Sequence, residues 1–224
     1  MYKRIIKRIL DIVCAILALI VFSWLYAILA VLVRIKLGKP VIFSQMRVGK
    51  NEKLFKLYKF RSMTDARDSE GNLLSDEHRL TEFGKKLRAT SLDELPEAWN
   101  ILRGDMSLIG PRPWGPAYVP YYTEEEHHRH DVRPGLSGLA QVRGRTAASW
   151  DERLKSDLEY VSDVSFLNDV KILFMTIKKV IIRSDVVEPQ EQMNFDDYRR
   201  LQWERGNVKQ MQGTNNNEKE KSQV

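Results

Sequence analysis

Residues 12 to 33, "IVCAILALIVFSWLYAILAVLV", carry no charge over 22 positions, and whether this run crosses a bilayer or turns back inside it decides the architecture. As a helix rising 1.5 Å per residue it would extend about 33 Å, enough to span a hydrocarbon core. The flanks argue against a crossing. Lys3, Arg4, Lys7 and Arg8 precede the run and Arg34, Lys36 and Lys39 follow it, whereas a spanning helix collects basic residues on its cytoplasmic side. The centre argues the same way, because Ser23, Trp24 and Tyr26 would lie near the midplane although tryptophan and tyrosine favour the interface. A helix that enters, bends near Ser23 and returns to the same face accounts for both observations. The run also exceeds the apolar part of a secretory signal and ends at no small-residue cleavage site. Residues 1–40 are therefore expected to form a re-entrant membrane anchor.

The whole chain has 224 residues, with 36 lysines and arginines against 30 acidic residues and a pI near 9.3. That length suits one domain with an anchor and a tail, and the basic excess favours anionic partners such as phosphates or acidic lipid headgroups. Cys14, the single cysteine, lies inside the apolar run, which excludes a disulfide framework and leaves a cytoplasmic-facing catalytic part as the simplest arrangement.

Beyond the anchor, "VIFSQM" (41–46) and "KLFKLYKF" (53–60) read as two strands about the turn-like "VGKNE", a hairpin with Lys59 and Arg61 near its end. Residues 64–75 read as a polar loop, and the spacing of Leu80, Phe83 and Leu87 predicts one helix over 76–88. An acidic helix start stands at "TEEEHHRH", and "VRPGLSGLAQVRGR" (132–145) reads as loop and short strand. Helices are expected over 151–161 and 166–183, the second an amphipathic helix with Lys171, Lys178, Lys179 and Arg183 off its apolar side, suited to a membrane surface or to a core. The chain turns polar after Val187, so 188–224 is expected to be a disordered tail and 41–187 the catalytic domain. The fold class is α+β, mainly helical with a short β-hairpin, a re-entrant membrane helix and interfacial amphipathic helices.

"TSLDELPEAWN" (90–100) sets Asp93 and Glu94 side by side. Ser91 and Glu94 fit a capping box, but Pro96 falls more comfortably inside a first turn if Asp93 is the N-cap. Either way the carboxylates stand amid unpaired N–H groups that stabilise anions, so the pair can serve capping or chemistry. Basic residues cluster around it in sequence: Lys59 with Arg61, Arg88, Arg112 between prolines, and Arg133, Arg143 and Arg145 among glycines. Guanidinium groups on such loops can bind phosphate through two hydrogen bonds, which points to a phosphate or diphosphate site. His127, His128 and His130 lack a second ligand cluster and stand beside three glutamates, so they read as residues of an exposed helix and not as metal ligands. No nucleotide-binding glycine motif and no nucleic-acid motif is present, and nucleic acid is not expected as a partner.

The segments "YKFRSM", "SLDELPEAWNILRGDMSLIGPRP", "HDVRPGLSGLAQVRGR" and "DLEYV" together resemble, in order and spacing, the small monotopic phosphoglycosyl transferases, also called bacterial sugar transferases. The resemblance covers roughly residues 1–187. It implies that a UDP-sugar gives its sugar phosphate to a membrane polyprenol phosphate (undecaprenyl phosphate), releasing UMP at the cytoplasmic face of the bacterial inner membrane. By it Asp93 is the nucleophile that forms a phosphosugar adduct, Glu94 helps to hold Mg2+, and Lys59, Arg88, Arg112, Arg145 and Asp157 contact phosphate, metal or nucleotide. A membrane-attached module that binds anionic headgroups without catalysis is the alternative, and it would release no UMP. The chain departs from the family at Ser23-Trp24, where a Ser-Pro step usually breaks the anchor helix. Proline would remove an N–H and force the kink, whereas Ser23 can only bond back to a carbonyl and bend the helix slightly. The basic flanks are then the stronger argument for re-entry.

Overall fold

The computed structural model describes residues 1–144, 148–182 and 193–208. Two helices open it, α1 (Lys7–Val21) and α2 (Ser23–Lys36), meeting at Phe22 with an angle of 64° between them. Among the described residues no single helix is long and apolar enough to cross a membrane. The bend is sharp although no proline stands there, contrary to the slight bend expected from Ser23. Tertiary docking supplies the reason. Ala15 of α1 packs with Phe55, Leu57, Ile101 and Met106, while Leu29 and Val33 of α2 and Leu37 just after it pack with Phe60 and Leu87. Each arm follows its own core cluster, and the chain turns between them.

Polar contacts hold α1 to the rest of the molecule. Asp11, buried, accepts bonds from Ser107 Oγ and the Leu108 N–H, both 2.9 Å. Lys7 pairs with Asp169 at 2.6 Å, and Arg8 donates to the carbonyls of Ile101 and Leu102 at 2.6 and 2.9 Å. Two of the basic residues that flank the apolar run therefore serve as ties to the globular part.

The hairpin pairs β1 (Ile42–Val48) with β2 (Leu54–Phe60) in antiparallel register, Ile42 opposite Phe60 and Val48 opposite Leu54. Alternation in β2 puts Phe55 and Leu57 into the core and leaves Leu54 exposed, whereas β1 is exposed along most of its length, Phe43 and Met46 included. The helix expected over 76–88 is divided into α3 (Asp76–Arg79) and α4 (Glu82–Ala89), because Thr81 turns its hydroxyl to the Gly84 N–H at 3.1 Å and starts a new helix. After α5 (Glu97–Arg103) comes β3 (Ser107–Ile109), then α6 (Glu124–His127), opened by a Thr123–Glu126 capping box. The stretch 132–145 holds more order than a loop with a strand: β4 (Gly135–Ser137) lies parallel to β3, and α7 (Leu139–Arg143) follows. Its glycines are packing devices. A Cβ on Gly135 would lie 2.1 Å from the Gly110 nitrogen, and one on Gly138 2.1 Å from the Gly110 oxygen, so the two loops touch backbone to backbone.

Helices α8 (Trp150–Ser162) and α9 (Phe166–Ile182) close the main core around Ile109, Val132, Leu139, Val142, Tyr160 and Ile172. Within the segment expected to be a disordered tail stands α10 (Phe195–Glu204), with Phe195 and Arg199 fully buried. The segment is too polar to look like a core helix, yet two side chains suffice to fasten it. Residues 209–224 lie outside the described residues.

The outer surfaces of α1, α2 and α9 are strongly apolar. Ile20, Trp24, Ile35, Leu167 and Phe174 are each more than 60 % exposed, a density of bare hydrophobic side chains that marks a surface meant for an apolar environment.

Candidate active site

Asp93 and Glu94 lie in a 3-10 turn, Leu92–Glu94, entered through Ser91 at φ 54°, ψ 17°. A left-handed serine is strained, at a cost on the order of 1–3 kcal/mol, and such residues gather at functional sites. The turn runs directly into α5 with Pro96 as its N-cap. Asp93 is therefore not the cap expected from the sequence, and its side chain caps nothing. Pro96 sits where a missing N–H is harmless.

Four elements bring their charges together. Lys59, one residue before the end of β2, places Nζ 2.8 Å from Glu94 Oε1 and 3.0 Å from Glu97 Oε1. Arg112, from the proline-flanked loop after β3, reaches the same Glu94 oxygen at 2.7 Å. Arg88, the penultimate residue of α4, donates from Nε to Ser62 Oγ at 2.8 Å, and its charge acts on Asp93. Asn100, fully buried on α5, accepts from the Tyr58 N–H at 3.0 Å and donates to the Lys56 carbonyl at 2.7 Å. Its amide thus clamps α5 to the strand that carries Lys59.

Burial raises the pKa of Asp93, and the neighbouring Glu94 charge raises it further, against the pull of Lys59, Arg88 and Arg112. Burial works the same way on Glu94 but is overcome by Arg112 and Lys59, which hold it down at about 2. Glu97, deeper and facing the Glu94 charge, is pushed up to about 7. Glu94 and Glu97, three residues apart, are thereby held in different states near neutrality. Lys59, Arg88 and Arg112, together with Arg47 whose buried Nε has no hydrogen-bond partner, leave the site positive enough for a diphosphate.

Glu97 was missed by sequence reasoning, although its place three residues after Glu94 puts both on one side of a helical path. Its titration carries a sign that can be tested. A carboxyl whose folded pKa lies above its unfolded value gives stability that is full below pH 4.5 and lost as pH rises through 7. Glu97→Gln removes that loss, so relative to wild type it should gain on the order of 1–3 kcal/mol between pH 5 and pH 8. Thermal unfolding in detergent at the two pH values measures this; an unchanged difference would show that Glu97 stays charged throughout.

Asp157 does not enter the site. It is buried against Arg129, which bonds it at 2.7 and 3.1 Å and also donates to the Arg112 carbonyl at 2.8 Å. Its contact is thus with the frame beneath Arg112, and Arg129 is the partner that sequence distance concealed. Arg61, Arg133 and Arg143 are likewise engaged away from the carboxylates, with Asp65, the Gly104 carbonyl and Glu159. Arg145 lies outside the described residues.

Of the histidines in the "HHRH" tract, only His128 is exposed as expected. His130 is buried, and it and His127 share Glu52, an acid at the hairpin turn held at φ 59°. These three form the one group among the described residues with metal-ligand spacing. Arg129 Nη1 stands 3.3 Å from His130 Nε2, and since a guanidinium can only donate, the ring proton belongs on Nδ1, directed to Glu52. Burial and the Arg129 charge push His130 down to about 4. In this arrangement the group works as a hydrogen-bonded brace between the hairpin turn and the 127–130 segment. Asp93 and Glu94 offer only carboxylate oxygens, the donor type that suits a hard cation.

Residues 2–183 match a family model described as bacterial sugar transferase. The chain is 48% identical over 182 residues to the "Uncharacterized sugar transferase EpsL" of Bacillus subtilis, covering 81% of this chain and 90% of that one. It is 39% identical over 200 residues to the undecaprenyl-phosphate galactose phosphotransferase of Salmonella typhimurium, covering 82% of this chain and 42% of the relative. A UDP-glucose:undecaprenyl-phosphate glucose-1-phosphate transferase of Escherichia coli is 39% identical over 187 residues, with 79% and 40% covered. The chain thus spans about two-fifths of these last two proteins.

Proposed function

The chain belongs to the bacterial sugar transferase family, and from that premise we propose that it transfers a sugar 1-phosphate from a UDP-sugar to undecaprenyl phosphate, through a covalent adduct on Asp93. The observation that carries this reading is the convergence of Lys59, Arg88 and Arg112 on the Asp93–Glu94 turn. In the first step an Asp93 carboxylate oxygen attacks the sugar-bearing phosphorus; the bond from that phosphorus to the bridging oxygen breaks, and UMP leaves with the electron pair. In the second, an oxygen of the polyprenol phosphate attacks the same phosphorus, the bond to Asp93 breaks and the carboxylate is restored. Burial that raises the basicity of Asp93 favours the attack, and the cations spread the charge that accumulates on the phosphoryl oxygens. Glu94, kept ionised, would hold Mg2+ with Asp93 beside it, and the ion would neutralise diphosphate charge.

The acceptor is a lipid, and the surroundings suit one. An apolar cleft of about 260 Å³, lined by Leu19, Tyr26, Ile42, Tyr58, Pro96 and Trp99, opens between the bent pair and the helix that carries Glu97. Its position would place isoprene units beside a phosphate at the carboxylates. The bent pair, docked by both arms on one globular part, is in this reading a re-entrant anchor in the bacterial inner membrane, with the site at the cytoplasmic face. Lys3→Cys and Lys39→Cys, each in a Cys14→Ala background, should both be labelled from the cytoplasmic side; a periplasmic label at residue 3 would mean that the helix crosses.

Incubation with a panel of UDP-sugars, undecaprenyl phosphate and magnesium, with UMP as readout, tests the function. Release of UMP that depends on the lipid and stops in excess chelator is the expected result. A protein that binds anionic vesicles and yields no UMP with any sugar would be the headgroup-binding module instead.

A further inference from the structure

Helix α10 lies beyond residue 183, where the family match ends, yet its contacts lead to the candidate site. Phe195 is fully buried among Trp114, Tyr118, Tyr122 and Trp150, with ring centroids 5.4 to 5.5 Å away. Trp114 is two residues from Arg112 in the rigid "GPRPWGP" loop, and its ring face holds the Arg129 guanidinium at 4.0 Å. Arg129 in turn holds the Arg112 carbonyl at 2.8 Å. Arg199, one turn along α10, is buried over the Phe195 ring at 5.0 Å and bonds Glu126 at 2.6 Å. Stacking of Trp203 on Tyr121 at 5.4 Å and the bond from Trp150 Nε1 to the Met193 carbonyl at 3.0 Å fasten the two ends of the helix. Every one of these partners lies in the segment from 114 to 150.

We infer that α10 is a positioning element for Arg112: Phe195 braces Trp114, Trp114 braces Arg129, and Arg129 fixes the backbone from which Arg112 reaches Glu94. The residues that set the charge of the site are therefore supported by a part of the chain outside the shared family span. Arg112 is a cation suited to the donor's diphosphate, so the element acts on the UDP-sugar step. The polyprenol cleft, lined from α1, α2, the hairpin and α5, does not touch α10. This rests on the proposed reaction for its kinetic consequence but not for its structural one.

The test uses the full-length protein in detergent, with Phe195→Ala, Phe195→Leu and Trp203→Ala. Phe195→Ala should raise the KM for UDP-sugar and lower kcat/KM for it about 10- to 100-fold, the size of effect that displacement of a binding group by about 1 Å produces. The KM for polyprenol phosphate should not move. Phe195→Leu, which keeps an apolar plug, should restore most of the loss, and Trp203→Ala, which loosens α10 without opening the aromatic core, should shift the same KM by less. A general loss of folded protein would instead lower kcat and leave both KM values unchanged, and that outcome would overturn the inference. Hydrogen exchange over residues 108–115 separates this from the reaction itself. Phe195→Ala should expose those amides even if wild type releases no UMP, which would sink the reaction alone; unchanged protection there would overturn the positioning role whatever the activity.

Discussion

Asp93→Asn is expected to abolish turnover, by about a thousandfold or more, while leaving the protein as stable as wild type or more so. In the proposed mechanism Asp93 is the nucleophile, so its loss takes away the whole two-step path, and the cations that remain cannot replace the missing oxygen. Stability should move the other way. Burial and the Glu94 charge raise the pKa of Asp93, so its ionised form costs folding free energy as pH rises through that raised value, and asparagine carries no such cost. Because the Asp93 side chain caps nothing, no helix start is lost. Incubation with radiolabelled UDP-sugar should leave label on wild type, released by undecaprenyl phosphate, and none on the variant. Labelled, active Asp93→Asn protein would place the chemistry elsewhere.

The largest effect on stability belongs to Asp157→Ala. Arg129, fully buried, would keep its charge and lose its carboxylate partner, and a broken buried pair costs about 3–5 kcal/mol. For a chain of this size that is a fall in Tm on the order of 6–20 °C. Asp157→Asn, which still accepts a hydrogen bond, should cost less, and Asp157→Ala with Arg129→Met should recover much of the loss because no charge is then stranded. Unfolding followed by circular dichroism in detergent decides the matter. A Tm within about 1 °C of wild type together with a raised KM for UDP-sugar would return Asp157 to the substrate-contacting role that the family resemblance implies.

The parts of this fold that could be read in advance are those with local causes. The alternation in "KLFKLYKF" is enough to give a strand with one buried face, and the apolar spacing along α8 and α9 places both helices within a residue or two. Non-local causes were hidden. The bend at Phe22 comes from two docking surfaces that lie far along the chain, not from a breaker residue. Helix α7 is five residues long inside a glycine-rich stretch, too short for periodicity to register. Helix α10 buries little beyond Phe195 and Arg199 and is otherwise polar, so its composition suggests a tail.

The candidate site divides the same way. Asp93, Glu94, Lys59 and Arg112 were legible because their segments carry recognisable motifs, and the structure brings the last three into direct contact. The roles of Glu97, Asn100 and Arg129 were not. Each depends on partners at least 17 residues away for which neither spacing nor composition gives a sign. The cap assigned to Asp93 failed because Ser91 takes a left-handed conformation, and no propensity argument favours that for serine.

The tie between Asp11 and Ser107 also orders events in time. Asp11 is made before its partners, and the hydroxyl and amide that donate to it arrive only 96 and 97 residues later. At a synthesis rate of roughly 5–20 residues per second, the newborn α1 spends on the order of 5–20 seconds with a carboxylate that has no protein partner. During that interval its base must stay in contact with water. Settling of the N-terminal arm is therefore a late step of biogenesis, coupled to the appearance of β3 and not to the emergence of the apolar segment itself.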